Sequence, residues 1–237
     1  NRNTSMSAIE AIISAAHSFI KLGGPVVAIL IAISVISLAV IVWKLFQFWQ
    51  ARIGSRKRSE TAVQLWHAGR TREALVHARL GRSPSARAVA QAIALASENM
   101  RSKPEIEERL TRHVTANLHE LQSGFRLLDA VVQLSPLLGL FGTVLGMIEA
   151  FRQLQSAGNA VDPSLLAGGI WVALLTTAAG LAVAMPVSIV LTWLESRLED
   201  ERVAIETLTA DVLLGNPGGQ LGEGAAGAEG REAILAH

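Results

Sequence analysis

The chain has 237 residues, of which 50% are hydrophobic and only 17% are charged, and its formal net charge is +1. A soluble domain averages about 25% charged residues, so the low charge content indicates a membrane protein and excludes global disorder. Cysteine is absent, which excludes disulfides, a thiol nucleophile and any cysteine-ligated metal site.

Three uncharged stretches are long enough to cross a bilayer, whose hydrocarbon core requires about 20 mostly apolar residues in a helix. They lie within residues 23–43, 130–148 and 163–194. A buried core helix is the alternative for each stretch. The first stretch is too long for the apolar region of a signal peptide and does not start the chain. We predict an all-α integral membrane protein with transmembrane helices over 22–44, 127–151 and 168–194.

The distribution of basic residues predicts the orientation of these helices. Residues 45–126 carry 14 Lys and Arg against 7 Asp and Glu, whereas residues 153–167 carry no Lys or Arg. The positive-inside rule therefore places 45–126 and the C-terminus in the cytoplasm, and the N-terminus and the loop 152–167 outside. Residues 195–237 hold 9 acidic and 3 basic residues, so the small net charge hides two opposite segments that can attract each other.

The termini have their own patterns. Residues 1–21 are predicted to form an amphipathic segment on the outer face of the membrane that the chain spans. The sequence begins with Asn1, for which either a trimmed start or a removed signal peptide would account. The third span is predicted to continue as a helix over 195–214, and the Gly- and Ala-rich residues 215–237 are predicted to be disordered.

The cytoplasmic segment 45–126 is predicted to be a helical domain. Thr71 is a candidate N-cap, and a second break is expected at residues 83–85. Pro104 suits the first turn of a further helix. An apolar stripe then leads directly into the second span, so the pattern predicts one uninterrupted helix over about 104–154.

Polar residues are costly inside a membrane and each one calls for an explanation. Thr143 lies in the second span, and Thr176 and Thr177 lie in the third. Small residues recur at helical spacing in both spans, namely Gly139, Gly142, Gly146, Ala173, Gly180 and Ala184.

Two interpretations of these residues stay open. Small residues permit close helix packing, and a threonine hydroxyl can bond to the carbonyl one turn back. The alternative is a mildly polar seam along a central pathway. Pro136 and Pro186 would each free a backbone carbonyl and allow a kink or a polar notch.

The second span reads LSPLLGLFGTVLGMI over 134–148, and the third reads GIWVALLTTAAGLAVAMP over 169–186. Together they resemble the two signatures of the ExbB/TolQ/MotA proton-channel family. Three spans, an outside N-terminus and a large loop after the first match the ExbB/TolQ layout, and the long N-terminal segment before the first span favours ExbB. A MotA-type stator has four spans, while a TolQ-like subunit of the Tol-Pal system remains an alternative.

The resemblance implies a ring, typically a pentamer, in the bacterial inner membrane, with spans two and three lining a central pore. A single-span helix of ExbD would occupy the pore, and its Asp would take up and release protons to drive TonB in outer-membrane uptake. By the same resemblance, Thr143 and Thr177 would be pore-facing hydroxyls near that Asp, with Thr176 beside them. A hydroxyl can both donate and accept a hydrogen bond, so it suits either protonation state of a carboxylate.

One position departs from the family pattern, which usually has Glu where this chain has Val172. Three explanations remain: the partner supplies the only carboxylate, the residue is an engineered Glu-to-Val change, or the chain is a non-conducting scaffold. Either of the first two leads us to expect that Val172→Glu preserves or raises energy coupling.

Other chemistry is weakly supported. The six histidines are scattered, and His113 and His119 lie on different helix faces rather than at metal spacing. The sequence has no nucleophile motif and no phosphate loop, so we predict neither an enzyme nor a cofactor. A basic run follows the first span and is better explained as an anchor for anionic lipids than as a nucleic-acid site: Arg52, Arg56, Lys57 and Arg58.

Overall fold

The computed structural model describes residues 2–97, 103–156 and 163–215. All seven elements within these residues are α-helices, which confirms the predicted fold class. They are α1 (Arg2–Gln50), α2 (Lys57–His67), α3 (Thr71–Arg79), α4 (Pro84–Ser97), α5 (Lys103–Gln122), α6 (Phe125–Ser156) and α7 (Pro163–Leu214).

Three of these helices contain stretches long and apolar enough to cross a membrane: Gly24–Gln50, Phe125–Ser156 and Leu166–Leu214. Each includes most or all of one predicted span. The third continues well beyond the predicted span, so the expected helical extension over 195–214 is confirmed. The predicted disordered tail lies outside the described residues from 216 onward.

The chain divides into two compact units. We call Asn1–Leu45 together with Gly124–Trp193 the span unit, and Phe46–Ser123 together with Leu194–His237 the helical domain. Helices α1 and α7 therefore each contribute to both units.

In the span unit, α1 is interrupted at Gly24, whose backbone adopts φ 65° and ψ −158°. A positive φ is readily adopted by glycine, and the following Pro25 offers no backbone N–H to continue the hydrogen-bond ladder. Immediately after this break, Val26, Val27 and Leu30 are buried. The backbone of residues 2–21 is helical, while the amphipathic role of these residues stays a prediction.

The prediction of one helix over 104–154 is wrong, because α5 ends at Gln122 and α6 begins at Phe125. Gly124 has φ 85°, a conformation outside the helical region that costs other residues free energy. The side chain of Lys44 reaches this turn, and its Cε would lie 3.3 Å from a Cβ added to Gly124. The apolar stripe continued across the break and concealed it.

The helical domain has a core built around Trp66, which is 2% exposed. Short side chains from α2, α3 and α4 belong to the same buried cluster: Ala62, Ala74, Ala78 and Ala92. The Trp66 indole N–H donates to the Val212 carbonyl oxygen at 2.9 Å, which attaches the end of α7 to α2.

Two predicted helix starts have different outcomes. The break at 83–85 is confirmed, since α4 begins at Pro84. Thr71 is not the N-cap: Arg70 occupies that position and no side-chain cap bond forms. The Arg70 Nε instead donates to the Glu73 carboxylate at 2.9 Å, so an ion pair across the first turn replaces the expected cap.

Candidate functional site

Helices α6 and α7 meet along a seam of small residues in the span unit. A Cβ added to Gly139 would lie 2.9 Å from the Thr176 carbonyl oxygen, and one added to Gly146 would lie 3.0 Å from the Ala173 Cβ. The order of contacts runs in opposite directions along the two helices, so they are antiparallel. Distances this short leave no room for a side chain at either glycine.

The seam extends toward both ends of the pair. A Cβ on Gly180 would lie 2.5 Å from the Ser135 carbonyl oxygen, and one on Gly169 would clash with the Cβ of Ala150. Apolar lipid tails provide little hydrophobic force to associate helices, so close backbone approach and packing must hold such a pair together. The seam therefore provides the main packing surface between these two helices.

Thr176 lies inside the seam and is only 2% exposed. Its hydroxyl is 2.7 Å from the Ala173 carbonyl oxygen in its own helix and 3.1 Å from the Gly139 carbonyl oxygen across the seam. A Cβ on Gly142 would lie 2.7 Å from the Thr176 side chain. The hydroxyl thus joins the two backbones.

Thr143 and Thr177 lie on one common flank of the seam. Each directly follows a seam residue, Gly142 or Thr176, and a helix turns about 100° per residue. Because the helices are antiparallel, this turn carries both threonines to the same side. The Thr143 hydroxyl donates to the Leu140 carbonyl oxygen at 2.7 Å, and the Thr177 hydroxyl is 3.4 Å from the Gly139 carbonyl oxygen.

This flank is open in the single chain. Leu140 and Leu174 also directly follow seam residues, and their side chains are 57% and 61% exposed. We call the surface formed by Leu140, Thr143, Leu174, Thr177 and Leu181 the threonine flank. It provides an apolar surface that carries two hydroxyl groups.

Val172 is not on the threonine flank. It directly precedes the seam residue Ala173, so the helical turn carries it to the opposite side. Its side chain is half-buried. The helical geometry therefore places Thr143 and Thr177 on one flank of the seam and Val172 on the other.

The remaining predicted packing residues lie at or near the same seam. Ala184 is 5% exposed, one turn beyond Gly180. Both α6 and α7 remain helical through Pro136 and Pro186. Beside Pro136, the Ser135 hydroxyl is buried and has no hydrogen-bond partner among the described residues.

The spans contain no ionisable side chain near the threonines. In the sequence, no Asp, Glu, Lys, Arg or His occurs between Asp129 and Glu149 or anywhere in 163–194. No group of three or more His, Asp or Glu residues suited to a metal ion occurs in the part of the chain that is described.

The sequence interpretation missed that Lys44, at the end of the first span, is fully buried. Its Nζ lies 4.8 Å from the centroid of the Trp43 ring and 5.7 Å from that of Phe125. A cation over an aromatic face is attracted by the ring quadrupole. A lysine at a span end is normally expected to extend into the headgroup region, so sequence alone favoured exposure.

The second missed group is Glu201, which is also fully buried. Its two carboxylate oxygens accept hydrogen bonds from the backbone N–H of Gly54 at 3.0 Å and of Ser85 at 2.9 Å. Ser85 lies in the first turn of α4, where a negative charge is favourable. The signal was present in the sequence, because Glu201 continues the apolar spacing of Leu194 and Leu198.

The seam lies in a part of the chain that matches a known protein family. The model of the MotA/TolQ/ExbB proton channel family matches residues 80–207, which include all of α6 and the seam portion of α7.

Among curated relatives, the biopolymer transport protein exbB1 of Vibrio cholerae serotype O1 is 50% identical over 68 residues, 29% of this chain and 30% of the relative. The biopolymer transport protein ExbB of Pseudomonas putida is 32% identical over 122 residues, 50% of this chain and 37% of the relative. ExbB of Salmonella typhimurium is 34% identical over 109 residues, 45% of this chain and 43% of the relative. Each of these matches spans less than half of the relative's own length.

Proposed function

The chain belongs to the MotA/TolQ/ExbB proton channel family, and we propose that it is an ExbB-like subunit of an inner-membrane complex driven by the proton-motive force. In this proposal it forms a ring, a pentamer by analogy with the family, around the single-span helix of an ExbD-like partner. The complex energises a TonB-like protein for outer-membrane uptake. The N-terminus is periplasmic and the C-terminus cytoplasmic, as the positive-inside rule predicts.

The threonine flank is the observation that carries this proposal. Thr143 and Thr177 lie on the same side of the α6–α7 pair, and the spans around them hold no charge of their own. Such a surface suits a partner helix that brings one carboxylic acid into water-poor surroundings. The flank is also exposed in the single chain, so it is available to a partner.

The hydroxyls can serve both states of the partner's carboxyl group. When the acid is protonated, its O–H can donate to the oxygen of Thr143 or Thr177. Each hydroxyl keeps acceptor capacity beyond the bond that it donates, to Leu140 in the same helix for Thr143 and to Gly139 in the other helix for Thr177. When the acid is ionised, a rotation about χ1 lets the hydroxyl donate to the carboxylate instead. Hydrogen bonds to charged groups contribute about 1.5–3 kcal/mol, enough to hold the ionised state for part of a cycle.

Proton flux in liposomes tests the proposal. The full chain is reconstituted alone and together with an ExbD-like partner that carries an intramembrane Asp. We expect flux only when both are present, since this chain has no intramembrane carboxylate. Flux from the chain alone would contradict a partner-supplied carboxylate.

A non-conducting scaffold that only positions the partners is the second candidate, and the absence of Glu at Val172 favours it. An assembled complex with no flux in the liposome assay would support the scaffold and overturn the channel. Val172→Glu provides a further comparison, for which a conducting subunit is expected to preserve or raise TonB-dependent uptake. A fully active parent with unchanged uptake in Val172→Glu would show that this position is not needed.

The ring is tested separately by the mass of the purified complex with its partner co-expressed. We expect several copies of this chain per complex. A single copy would overturn the ring and leave the threonine flank without a pore to line.

A further inference from the structure

Three arginines surround a cavity directly after the first span. Helix α1 ends at Gln50, and the turn that follows meets the loop between α3 and α4. The cavity is about 300 Å³ and is lined by Arg52, Arg58 and Arg82, together with Ser55, Gly81 and Ser83. We call it the arginine cavity, and it lies entirely within the helical domain.

Within the described residues, no acidic side chain neutralises the charges of this cavity. In the described residues, none of the three guanidinium groups pairs with an Asp or Glu. Arg58 Nη1 donates to the Leu80 carbonyl oxygen at 2.8 Å, which fixes its side chain while leaving four other N–H groups. Three adjacent cations without a counter-charge favour an anionic ligand.

The backbone at Arg52 provides a second indication. Its φ is 48°, which is unusual for a residue other than glycine and is held by a tight turn in which the Ser55 N–H donates to the Arg52 carbonyl oxygen at 3.1 Å. Strained backbone persists where the surrounding structure requires it, and it is concentrated at functional sites. Here it brings the Arg52 side chain to the cavity rather than along the end of the helix.

An amphipathic cavity adjoins the first one. It is about 370 Å³, shares Arg52, Ser55 and Arg82 with the arginine cavity, and adds the apolar side chains of Phe48, Trp49 and Ile53. Trp49 is 78% exposed at the end of the spanning helix. Tryptophan at this position is typical of the membrane interface.

We propose that the two adjoining cavities together bind one anionic phospholipid. This lipid belongs to the membrane leaflet at the level of Trp49. The phosphate lies among Arg52, Arg58 and Arg82, because guanidinium groups match phosphate oxygens in a bidentate geometry. The glycerol backbone and the first methylenes of the acyl chains lie against Phe48, Trp49 and Ile53. A free phosphate compound would use only the first cavity and leave the apolar one empty.

The sequence predicts that the basic run 52–58 acts as one lipid anchor, but in the structure only part of this run lines the cavities. Arg56 does not line either cavity, and its Nη2 donates to the Asp200 carbonyl oxygen at 2.6 Å. Arg82, which is 24 or more positions away from the members of that run, takes part instead. The site therefore depends on the fold of the helical domain and not on the density of basic residues along the sequence.

The test uses the full-length protein, purified in mild detergent and offered equal amounts of phosphatidylglycerol and phosphatidylcholine. Native mass spectrometry measures the bound lipid. The triple variant Arg52→Gln, Arg58→Gln, Arg82→Gln is compared with Arg72→Gln, Arg79→Gln, Arg87→Gln, which removes the same charge from three exposed arginines outside the cavities. Circular dichroism checks that both variants keep their helices.

We expect the cavity variant to lose about tenfold or more of its retained phosphatidylglycerol and the control variant to keep it. The single variant Arg82→Gln, in an exposed loop, is expected to show a smaller loss in the same direction if the triple variant does not fold. Equal loss in the control variant, or no loss in either, would overturn the site.

Free glycerol phosphate provides the last arm of the test. It is expected not to displace the phospholipid at equal concentration, because it has no acyl chains for the apolar cavity. Efficient displacement would identify a soluble phosphate compound as the ligand and overturn the lipid. Lipid retention is measured without a partner protein, so its outcome is independent of the proton-flux experiment.

Discussion

The α6–α7 pair of the span unit and the core of the helical domain are packed from different kinds of residue. In the span unit, α6 and α7 approach through glycine, alanine and threonine, and the bulky residues such as Leu140 and Leu174 point outward. In the helical domain, large side chains such as Trp66 and Ile93 are buried in the core together with alanines. Water drives large apolar side chains inward, whereas lipid does not, so each unit has the packing its surroundings select.

The two units also treat polar groups differently. In the span unit, the buried Thr176 hydroxyl lies within hydrogen-bond distance of one backbone carbonyl oxygen in each helix. In the helical domain, the buried Glu201 carboxylate accepts hydrogen bonds from two backbone N–H groups. The contrast indicates where each unit is sensitive to substitution. Added volume should damage the span unit, and lost hydrogen-bond acceptors should damage the helical domain.

The largest effect is expected for Glu201→Leu. It removes both acceptors, which leaves the buried N–H of Ser85 unsatisfied and the N–H of Gly54, an exposed residue, without its protein acceptor. We expect the free energy of unfolding to fall by about 2–4 kcal/mol, measured by denaturant titration in detergent. Glu199→Leu, at an exposed position 3.9 Å from Arg202, should cost less than about 1 kcal/mol. Similar losses in both variants would show that the burial of Glu201 is unimportant.

A somewhat smaller effect is expected for Gly180→Ala. The new methyl group would meet the Ser135 carbonyl oxygen at 2.5 Å, and a carbonyl in a helix cannot move aside. Overpacking of this kind costs about 1–3 kcal/mol in the free energy of unfolding. Gly168→Ala is the matched control in the same helix, since nothing lies within 4 Å of its added Cβ. The control should be neutral or slightly stabilising, and equal destabilisation by both variants would contradict the seam.

The smallest difference is expected between Gly124→Ala and Gly69→Ala. Both glycines have a positive φ, 85° and 75°, so each alanine variant should lose about 1–2 kcal/mol in the free energy of unfolding. Gly124 additionally faces the Lys44 side chain, whereas no atom lies within 4 Å of a Cβ on Gly69. Gly124→Ala should therefore be the less stable of the two by thermal unfolding. The reverse order would show that the contact with Lys44 adds nothing.

Much of the fold could be predicted from the sequence because its signals are local. Apolar runs locate the three spanning helices, and the apolar spacing after Glu195 predicts the extension of α7. The break at Gly124 was not predicted because the apolar stripe continues across it, and the Lys44 side chain that lies at this turn comes from 80 positions earlier. Thr71 failed as a cap because an Arg70–Glu73 ion pair stabilises that helix start instead.

The candidate site could be predicted only in part. The motifs indicate Thr143, Thr176 and Thr177 as a group, but they do not distinguish a residue inside the seam from one on its flank. That distinction depends on the antiparallel pairing of α6 with α7, which brings Gly139 to Thr176. The burial of Glu201 was not predicted because a carboxylate is normally exposed. The backbone N–H groups that donate hydrogen bonds to it come from distant positions in the sequence.

The central claim is that the hydroxyls of the threonine flank form hydrogen bonds with the partner's carboxyl group as it takes up and releases a proton. Proton flux through the double variant Thr143→Val, Thr177→Val tests this claim most directly. The variant is reconstituted with an Asp-bearing ExbD-like partner. The control is Thr192→Val, which removes a hydroxyl of the same kind, bonded to the Ser188 carbonyl oxygen at 2.9 Å in the same helix. Loss of a hydrogen bond to a charged group predicts a fall in flux of about ten- to a hundredfold in the double variant and an unchanged flux in the control. Unchanged flux in an assembled double variant would contradict the claim.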